Sequence, residues 1–328
     1  MSGRRTIGEV GEFGLLATLL PRIASGPGVV VGPGDDCAVV QTRSRRLLFT
    51  VDALVEGIHF RRRWLTPGQL GRKAFLINAS DIAAMGGTAR WCVLHLSATP
   101  RTVAADLALI SRGVAAAAAA AGAVLVGGNL SRARELSATV ALIGDAPARI
   151  VTRTGAKPGD RLYVTGALGE AALGVRELIR SADARGPAVR RFRQPPLRLQ
   201  AGALLARSGI TNAMIDVSDG LLQDLAHLCA ASRVGAQIRL ESVPCSARVR
   251  RAGIELALAG GEDYELLCAV PERNRDRVQR LAVRLGCPFT EIGACTSPQG
   301  GVRVVDAKGR DVPVSIAGFD HFAPRRRR

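Results

Sequence analysis

Acidic residues are scarce in this chain of 328 residues: 28 Asp and Glu stand against 45 Lys and Arg, a formal net charge of +17. Lysine is nearly missing too. Lys73, Lys157 and Lys308 are the only three, so the positive charge is almost entirely arginine. Aromatic residues make up just 4%. Aromatics stack the unpaired bases in single-strand binders; here they are few and not interleaved with the arginine runs, which argues against nucleic acid as the main partner. A basic field of this kind suits the attraction of small anions into clefts. The terminal run Arg325–Arg328 is expected to be a solvated end.

Several chemical devices are missing as well. Nothing matches G-x-x-x-x-G-K-[ST], and no G-x-G-x-x-G follows a strand, so the two commonest glycine-rich phosphate cradles are excluded. The four histidines, 59, 95, 227 and 321, show no HExxH spacing. Seven cysteines, at 37, 92, 229, 245, 268, 287 and 295, form no CxxC pair and sit mostly in apolar runs. That is the pattern of free thiols in a reducing cytosol. The apolar run Val114–Val126 contains Gly122 and falls short of the roughly 20 residues a membrane helix needs. Near the start, Arg4-Arg5 and Phe13–Leu20 loosely resemble a leader, but Glu9 and Glu12 interrupt it and no small-residue cleavage pattern follows. The expectation is a cytoplasmic protein without membrane attachment.

The length predicts about two domains, and 47% hydrophobic residues suffices for a core in each. Residues 37–60 read as two strands separated by Gln41–Arg46. Thr66-Pro67 opens a helix that runs to about Met85 and stops at Gly86-Gly87. A strand over Trp91–Leu96, a helix over Thr102–Ala121, a short buried strand over Ala123–Val126 ending at Gly127-Gly128, and a strand over Leu136–Ile143 follow. The polar stretch Arg153–Asp160 marks a boundary, giving domains over 1–150 and 151–328. The second half reads as a strand over 161–165, a helix over 168–180, a polar loop over 181–195, a helix over 197–207, a strand into Asp216 and a helix from Asp219 to about Ala231. Strands alternating with helices in both halves predict an α/β or α+β fold.

The scarce acids are grouped. Gly34-Asp35-Asp36, Val51-Asp52, Ser80-Asp81, Asp216-Val217-Ser218-Asp219-Gly220 and Gly260-Gly261-Glu262-Asp263 lie at strand ends and helix starts. Oxygen ligands in such clusters suit Mg²⁺, which takes one or two carboxylates together with substrate phosphates. Each cluster also has a plain structural reading: a turn at Gly34-Asp35-Asp36, a helix cap at Asp219, an exposed helical position at Asp81. Five unrelated reasons for placing rare acids beside apolar runs are less economical than one site assembled by the fold.

In their order these stretches resemble the thiamine-monophosphate kinase family, within the aminoimidazole ribonucleotide synthetase superfamily. The resemblance rests on Gly11-Glu12-Phe13, Gly34–Ala38, Val51–Phe60, Asn78–Gly86, Arg153–Asp160, Ile215–Leu221, Gly260–Leu266 and Gly318–Phe322, and so covers essentially the whole chain. It implies a two-domain fold whose N-terminal strands pair across a homodimer. It also implies an enzyme, a thiamine-phosphate kinase using ATP as co-substrate and several Mg²⁺ ions, with thiamine monophosphate as acceptor. Asp35, Asp52, Asp81, Asp216 and Asp219 would hold metal; Gly128, Arg153 and Ser218 would contact ATP; His59, Glu262 and Phe319 would lie at the thiamine phosphate. Two positions depart from the pattern. Asn129 stands where the family has a metal-binding Asp in Gly-Gly-Asp-Thr/Ser, so it is a weaker ligand beside the nucleotide. Val51 stands where a hydroxyl residue is common. Both departures are compatible with a slower enzyme, with a related kinase acting on another phosphorylated acceptor, or with a nucleotide-binding protein of reduced turnover.

Overall fold

The computed structural model describes residues 29–31, 35–43 and 45–314. The first half builds one sheet from β1 (Val29–Val31), β2 (Ala38–Gln41), β3 (Arg46–Val55), β4 (Thr88–Ala98), β5 (Val124–Arg132) and β6 (Ser137–Asp145), in the spatial order β1-β2-β3-β6-β4-β5. β6 alternates partly and fully buried residues along its whole length, as a strand with two unlike faces must. The expected short buried strand at Ala123–Val126 is instead an exposed edge strand, and it runs on through both glycines to Arg132, because it pairs in parallel with β4 as far as Ala98↔Arg132.

Two helices, α1 (Pro67–Ala84) and α2 (Ala104–Ala120), pack on one face of this sheet. α1 starts as the sequence predicts. Thr66 Oγ1 accepts from the Gln69 N–H, and Gln69 Oε1 accepts from the Thr66 N–H, a reciprocal capping box. The two helices cross at glycines: a Cβ on Gly71 would lie 1.9 Å from the Ile110 carbonyl oxygen, and one on Gly113 would lie 2.2 Å from that of Gly68.

The opposite face of the sheet carries a band of exposed apolar residues. Strand register aligns Phe49, Ile143, Trp91 and Val124 in one row and Val51, Ala141 and Val93 in the next. Phe49, Val51, Trp91, Val93 and Val124 are all exposed.

The second half forms another six-stranded sheet from β7 (Arg161–Thr165), β8 (Ala213–Val217), β9 (Gly235–Arg239), β10 (Glu265–Val270), β11 (Phe289–Thr296) and β12 (Val302–Val305), in the order β12-β9-β11-β7-β10-β8. β8 and β10 are buried on both faces. Around them lie α3 (Glu170–Arg180), α4 (Pro187–Arg193), α5 (Leu199–Ser208), α6 (Leu221–Ser232), α7 (Ala247–Ala252), α8 (Glu255–Leu258) and α9 (Arg275–Leu285). α4 corrects the expected loop over 181–195. Gly186-Pro187 starts it, and Ala188, Val189 and Phe192 bury between its arginines.

α1 belongs to both halves. It contacts β3 and β6 on one side and β8, β10 and α5 on the other, and it is buried from Leu70 to Ala84 save for Arg72 and Asp81. A helix covered on all sides needs no single apolar stripe. The approach of α5 is close enough that a Cβ on Gly202 would sit 1.9 Å from the Ala83 carbonyl oxygen.

Candidate active site

The C-terminal half of α1, the outgoing end of β3 and the loop after β8 meet in a cleft of about 680 Å³. Its lining includes Asp35, Asp36, Asp52, Asp81, Asp216 and Asp219, together with His59, Arg153, Ser218 and Glu262. Residues separated by up to 227 positions thus line one cleft.

The tightest set is Asp36, Asp81 and Asp216, whose ligand oxygens lie within 4.8 Å of one another. Asp36 is the member the sequence reading passed over in favour of its neighbour Asp35. Both line the cleft, but only Asp36 joins the tight set, while Asp35 accepts from the Arg153 and Asp36 N–H groups. Asp81 is not the exposed helical residue of the plain reading: it is partly buried and accepts a short hydrogen bond from Thr50 Oγ1 on β3. Asp216 is buried and accepts from Ser80 Oγ at 2.6 Å. Nor is Asp219 a helix cap, because Gly220 holds that place on α6. The buried Asp224 accepts from the backbone N–H groups of Asp219 and Gly220 at 3.1 and 3.0 Å and fixes the loop from below.

This concentration of charge opposes its own ionisation. Burial raises the Asp81 and Asp216 carboxyls well above the usual range, with Asp52 and Asp36 respectively the next contributors. Asp35 is pushed up to about 7 by burial and by the Asp36 charge. Asp52 is raised to about 6 by the protein packed around it and by Asp219, although its side chain stays open to the cleft. Arg153 supplies the nearest cation. Its Nε and Nη2 donate to Asp36 at 3.2 and 3.0 Å, and its backbone N–H donates to Asp35 Oδ2 at 3.1 Å. Two lining arginines, Arg153 and Arg61, against six aspartates leave a site that favours divalent cations, and all-oxygen donors suit Mg²⁺.

Beyond the acids the cleft turns apolar, with Ile58, Phe60, Trp64, Ile77 and Val175. His59 lines this part. Its Nδ1 accepts from the Val55 N–H at 3.0 Å, so the neutral ring carries its proton on Nε2. Glu262 reaches the cleft from the loop before β10, where its N–H donates to the Ser218 carbonyl at 2.7 Å. Phe319 lies outside the described residues.

Gly128 and Asn129 do not join the cleft of their own chain. They sit on the edge strand β5, separated from β3 by β4 and β6. Register places Asn129 in the row of His95, Thr139 and Ala53, whereas Asp52 is in the row of Val140 and Leu94. Successive residues face opposite sides of a sheet, so Asn129 is on the outer face and Asp52 on the helix-covered one. Asn129 therefore does not face the carboxylate cluster of its own chain.

Comparisons with known sequences and structures match both halves of the chain. Residues 34–146 match the model of the AIR synthase related protein N-terminal domain, and residues 157–306 match that of the C-terminal domain. The chain is 37% identical to the thiamine-monophosphate kinase of Escherichia coli K12, over 95% of this chain and 98% of the relative. Against the thiamine-monophosphate kinase of Aquifex aeolicus it is 34% identical, over 96% and 99%. The solved structure of AaThiL complexed with AMPPCP and TMP superposes with a TM-score of 0.84 at 31% identity, covering 98% of this chain and all of that one.

Proposed function

The chain belongs to the thiamine-monophosphate kinase family of AIR synthase related proteins, and from that premise we propose how its cleft performs the reaction. It is an enzyme that moves the γ-phosphoryl group of ATP to thiamine monophosphate, giving thiamine diphosphate.

The acceptor is itself a phosphate, whose second pKa of about 6 leaves it largely dianionic at neutral pH. A nucleophile already ionised needs no general base, and no residue here is assigned that role. The barrier is instead the repulsion between two anionic phosphates. Asp36, Asp81 and Asp216 would hold Mg²⁺, with Asp35, Asp52 and Asp219 around them. The bound ions would supply positive charge to the β and γ oxygens and to the attacking oxygen. Arg153 orients the carboxylates in the free enzyme and stands at the nucleotide phosphates. Ser218 and the loop fixed by Asp224 place backbone groups beside them. The apolar end, with His59 and Glu262, takes the thiamine part of the acceptor, and Phe319 is assigned there by family pattern alone.

The observation that carries this reading is the carboxylate triad, its ligand oxygens within 4.8 Å, opening directly onto an apolar subsite. The test is ADP formation from ATP and Mg²⁺, with and without thiamine monophosphate and against a panel of other phosphorylated acceptors. Turnover that another acceptor stimulates more strongly would replace the acceptor assignment. Full turnover in excess EDTA would remove the metal assignment.

Homodimer formation is part of the same proposal. The open apolar band from Phe49 to Val124 is the surface a second copy would cover, and an isologous contact buries the same patch on both chains. Any contact Gly128 and Asn129 make to nucleotide or metal is then to the partner's cleft. Seven free cysteines fit a reducing, cytoplasmic setting.

A further inference from the structure

One of the three lysines is buried where no surface charge is needed. Lys73 on α1 is completely inaccessible, yet its Nζ donates to Glu262 Oε2 at 2.9 Å, from one half of the molecule to the other. On its other side Nζ lies 3.6 Å from the centroid of the Phe192 ring on α4. The ring face offers negative potential to the cation. Trp64 in turn packs edge-on against Phe192, with centroids 6.0 Å apart and planes at 80°. The ammonium is thus held between one carboxylate oxygen and one aromatic face.

Glu262 is differently placed. Its side chain is 23% exposed and lines the cleft. Its backbone is left-handed, at φ 69°, a region side-chain-bearing residues seldom adopt. The N–H groups of Glu262 and Tyr264 are fixed to the Ser218 and Val217 carbonyls at 2.7 and 2.8 Å. The Asp263 carboxylate between them caps the Gly169 N–H at 2.8 Å. The main chain of this loop is therefore pinned, and Lys73 pins the Glu262 side chain, which lines the cleft together with Tyr264.

A buried ion pair is poor evidence of stabilisation, since desolvation offsets its attraction and apolar replacements are often neutral or better. Its presence calls for another role. We propose that Lys73 is a positioning residue for the acceptor: it holds Glu262 by Oε2 and leaves Oε1 aimed to meet a hydrogen-bond donor or the cationic ring of the thiamine phosphate. The proposal rests on the reading of Glu262 as an acceptor contact.

Steady-state kinetics of Lys73→Met, Glu262→Gln and the double variant test it, with thiamine monophosphate and ATP varied in turn. Lys73→Met is expected to raise the acceptor KM about tenfold, with the ATP KM unchanged within about twofold. Glu262→Gln should do the same, and the double variant should be no worse than Glu262→Gln alone, because the two act through one contact. If Glu262→Gln raises the acceptor KM and Lys73→Met does not, the positioning role is overturned while the acceptor reading stands. An acceptor KM unchanged in Glu262→Gln overturns the acceptor reading and the proposal with it. Equal losses for both substrates, with a lowered unfolding temperature, would make the pair structural. Should Lys73→Met fail to fold, the double variant, which leaves no charge buried, is compared with Glu262→Gln. An identical acceptor KM supports the proposal, and a further rise overturns it.

Discussion

Ser80 donates its hydroxyl to Asp216 at 2.6 Å and so fixes, across 136 positions, a carboxylate of the second sheet to a helix of the first. Lys73, seven residues earlier on the same helix, makes the same kind of contact to Glu262. Seven residues are close to two helical turns, about 10.5 Å along the axis, so both bonds leave one face of α1. The next residue, Asp81, is held by Thr50 on β3. The carboxylate end of the cleft and the end proposed for the acceptor are thereby spaced by a single helix.

Loss of the Ser80 hydroxyl should therefore act on the chemistry and not only on stability. Ser80→Ala removes one hydrogen bond to a buried carboxylate, worth about 1.5–3 kcal/mol. The expected result is a lowered unfolding temperature together with a higher Mg²⁺ concentration for half-maximal activity. A Mg²⁺ titration that superimposes on wild type would mean that Asp216 keeps its orientation unaided.

Removing a carboxylate should separate stability from activity more sharply. Asp81→Asn and Asp216→Asn relieve like-charge repulsion in the metal-free protein, so its unfolding temperature should stay level or rise. Turnover should fall by well over tenfold, since even partners that only orient metal ligands cost about 10–100-fold. A variant that keeps full activity at limiting Mg²⁺ would exclude that residue as a ligand.

The pH dependence has a definite sign. Asp35 is raised to about 7 and Asp52 to about 6 in the folded chain, both above the ordinary carboxyl value. A carboxyl raised on folding favours the folded state fully at low pH, and that contribution disappears as pH climbs through the raised value. Between about pH 4 and 7 the metal-free protein should lose this contribution, while bound Mg²⁺ restores it by competing with protons. The Mg²⁺-induced rise in unfolding temperature should thus be larger at pH 8 than at pH 5.5. An equal rise at both pH values would contradict the assignment.

How much of this was legible in the sequence depended on range. The carboxylates were readable because each sits in a short local motif, and the ends of α1 because Thr66-Pro67 and Gly86-Gly87 are local signals. α4 was not, since its apolar face is only Ala188, Val189 and Phe192 among arginines; it packs mainly against the neighbouring α3, and the distant Trp64 that meets Phe192 leaves no local signal. The partnership of Lys73 with Glu262 spans 189 positions, and nothing near Lys73 announces it beyond the rarity of lysine. The face occupied by Asn129 depends on strand register and a bulge between Cys92 and Val93, neither of which the glycines at 127 and 128 specify. Asp36 was missed although it was in view: the pair Asp35-Asp36 did not say which member turns toward Asp81.

The thiols give a test independent of catalysis. Every cysteine but Cys245 is buried. Burial pushes Cys229, Cys268 and Cys295 up to about 12 and Cys92 to about 11. The thiolate is the reactive form, so at pH 8 these groups should label only through opening of the structure. One thiol per chain should react rapidly with a maleimide, and all seven after denaturation. Rapid labelling of two or more would show that the core is more open than described.

The apolar outer face and the position of Asn129 lead to one joint prediction. If a second copy covers the band from Phe49 to Val124, light scattering should give twice the 34.4 kDa chain mass. Val93 lies in the middle of the band and is 42% exposed in the single chain. Val93→Arg should therefore leave the fold intact while placing two like charges together at a two-fold contact, and the protein should become monomeric. Asn129 lies on the outer face of the edge strand, so it can reach metal only in another chain. An amide oxygen carries no formal charge and offsets a cation less than a carboxylate does. Asn129→Asp should accordingly lower the Mg²⁺ requirement of the dimer severalfold, and it should do nothing in the Val93→Arg background. A wild-type mass of 34.4 kDa would remove the dimer. The same Asn129→Asp effect in monomer and dimer would place Asn129 at its own chain's cleft, against the strand register.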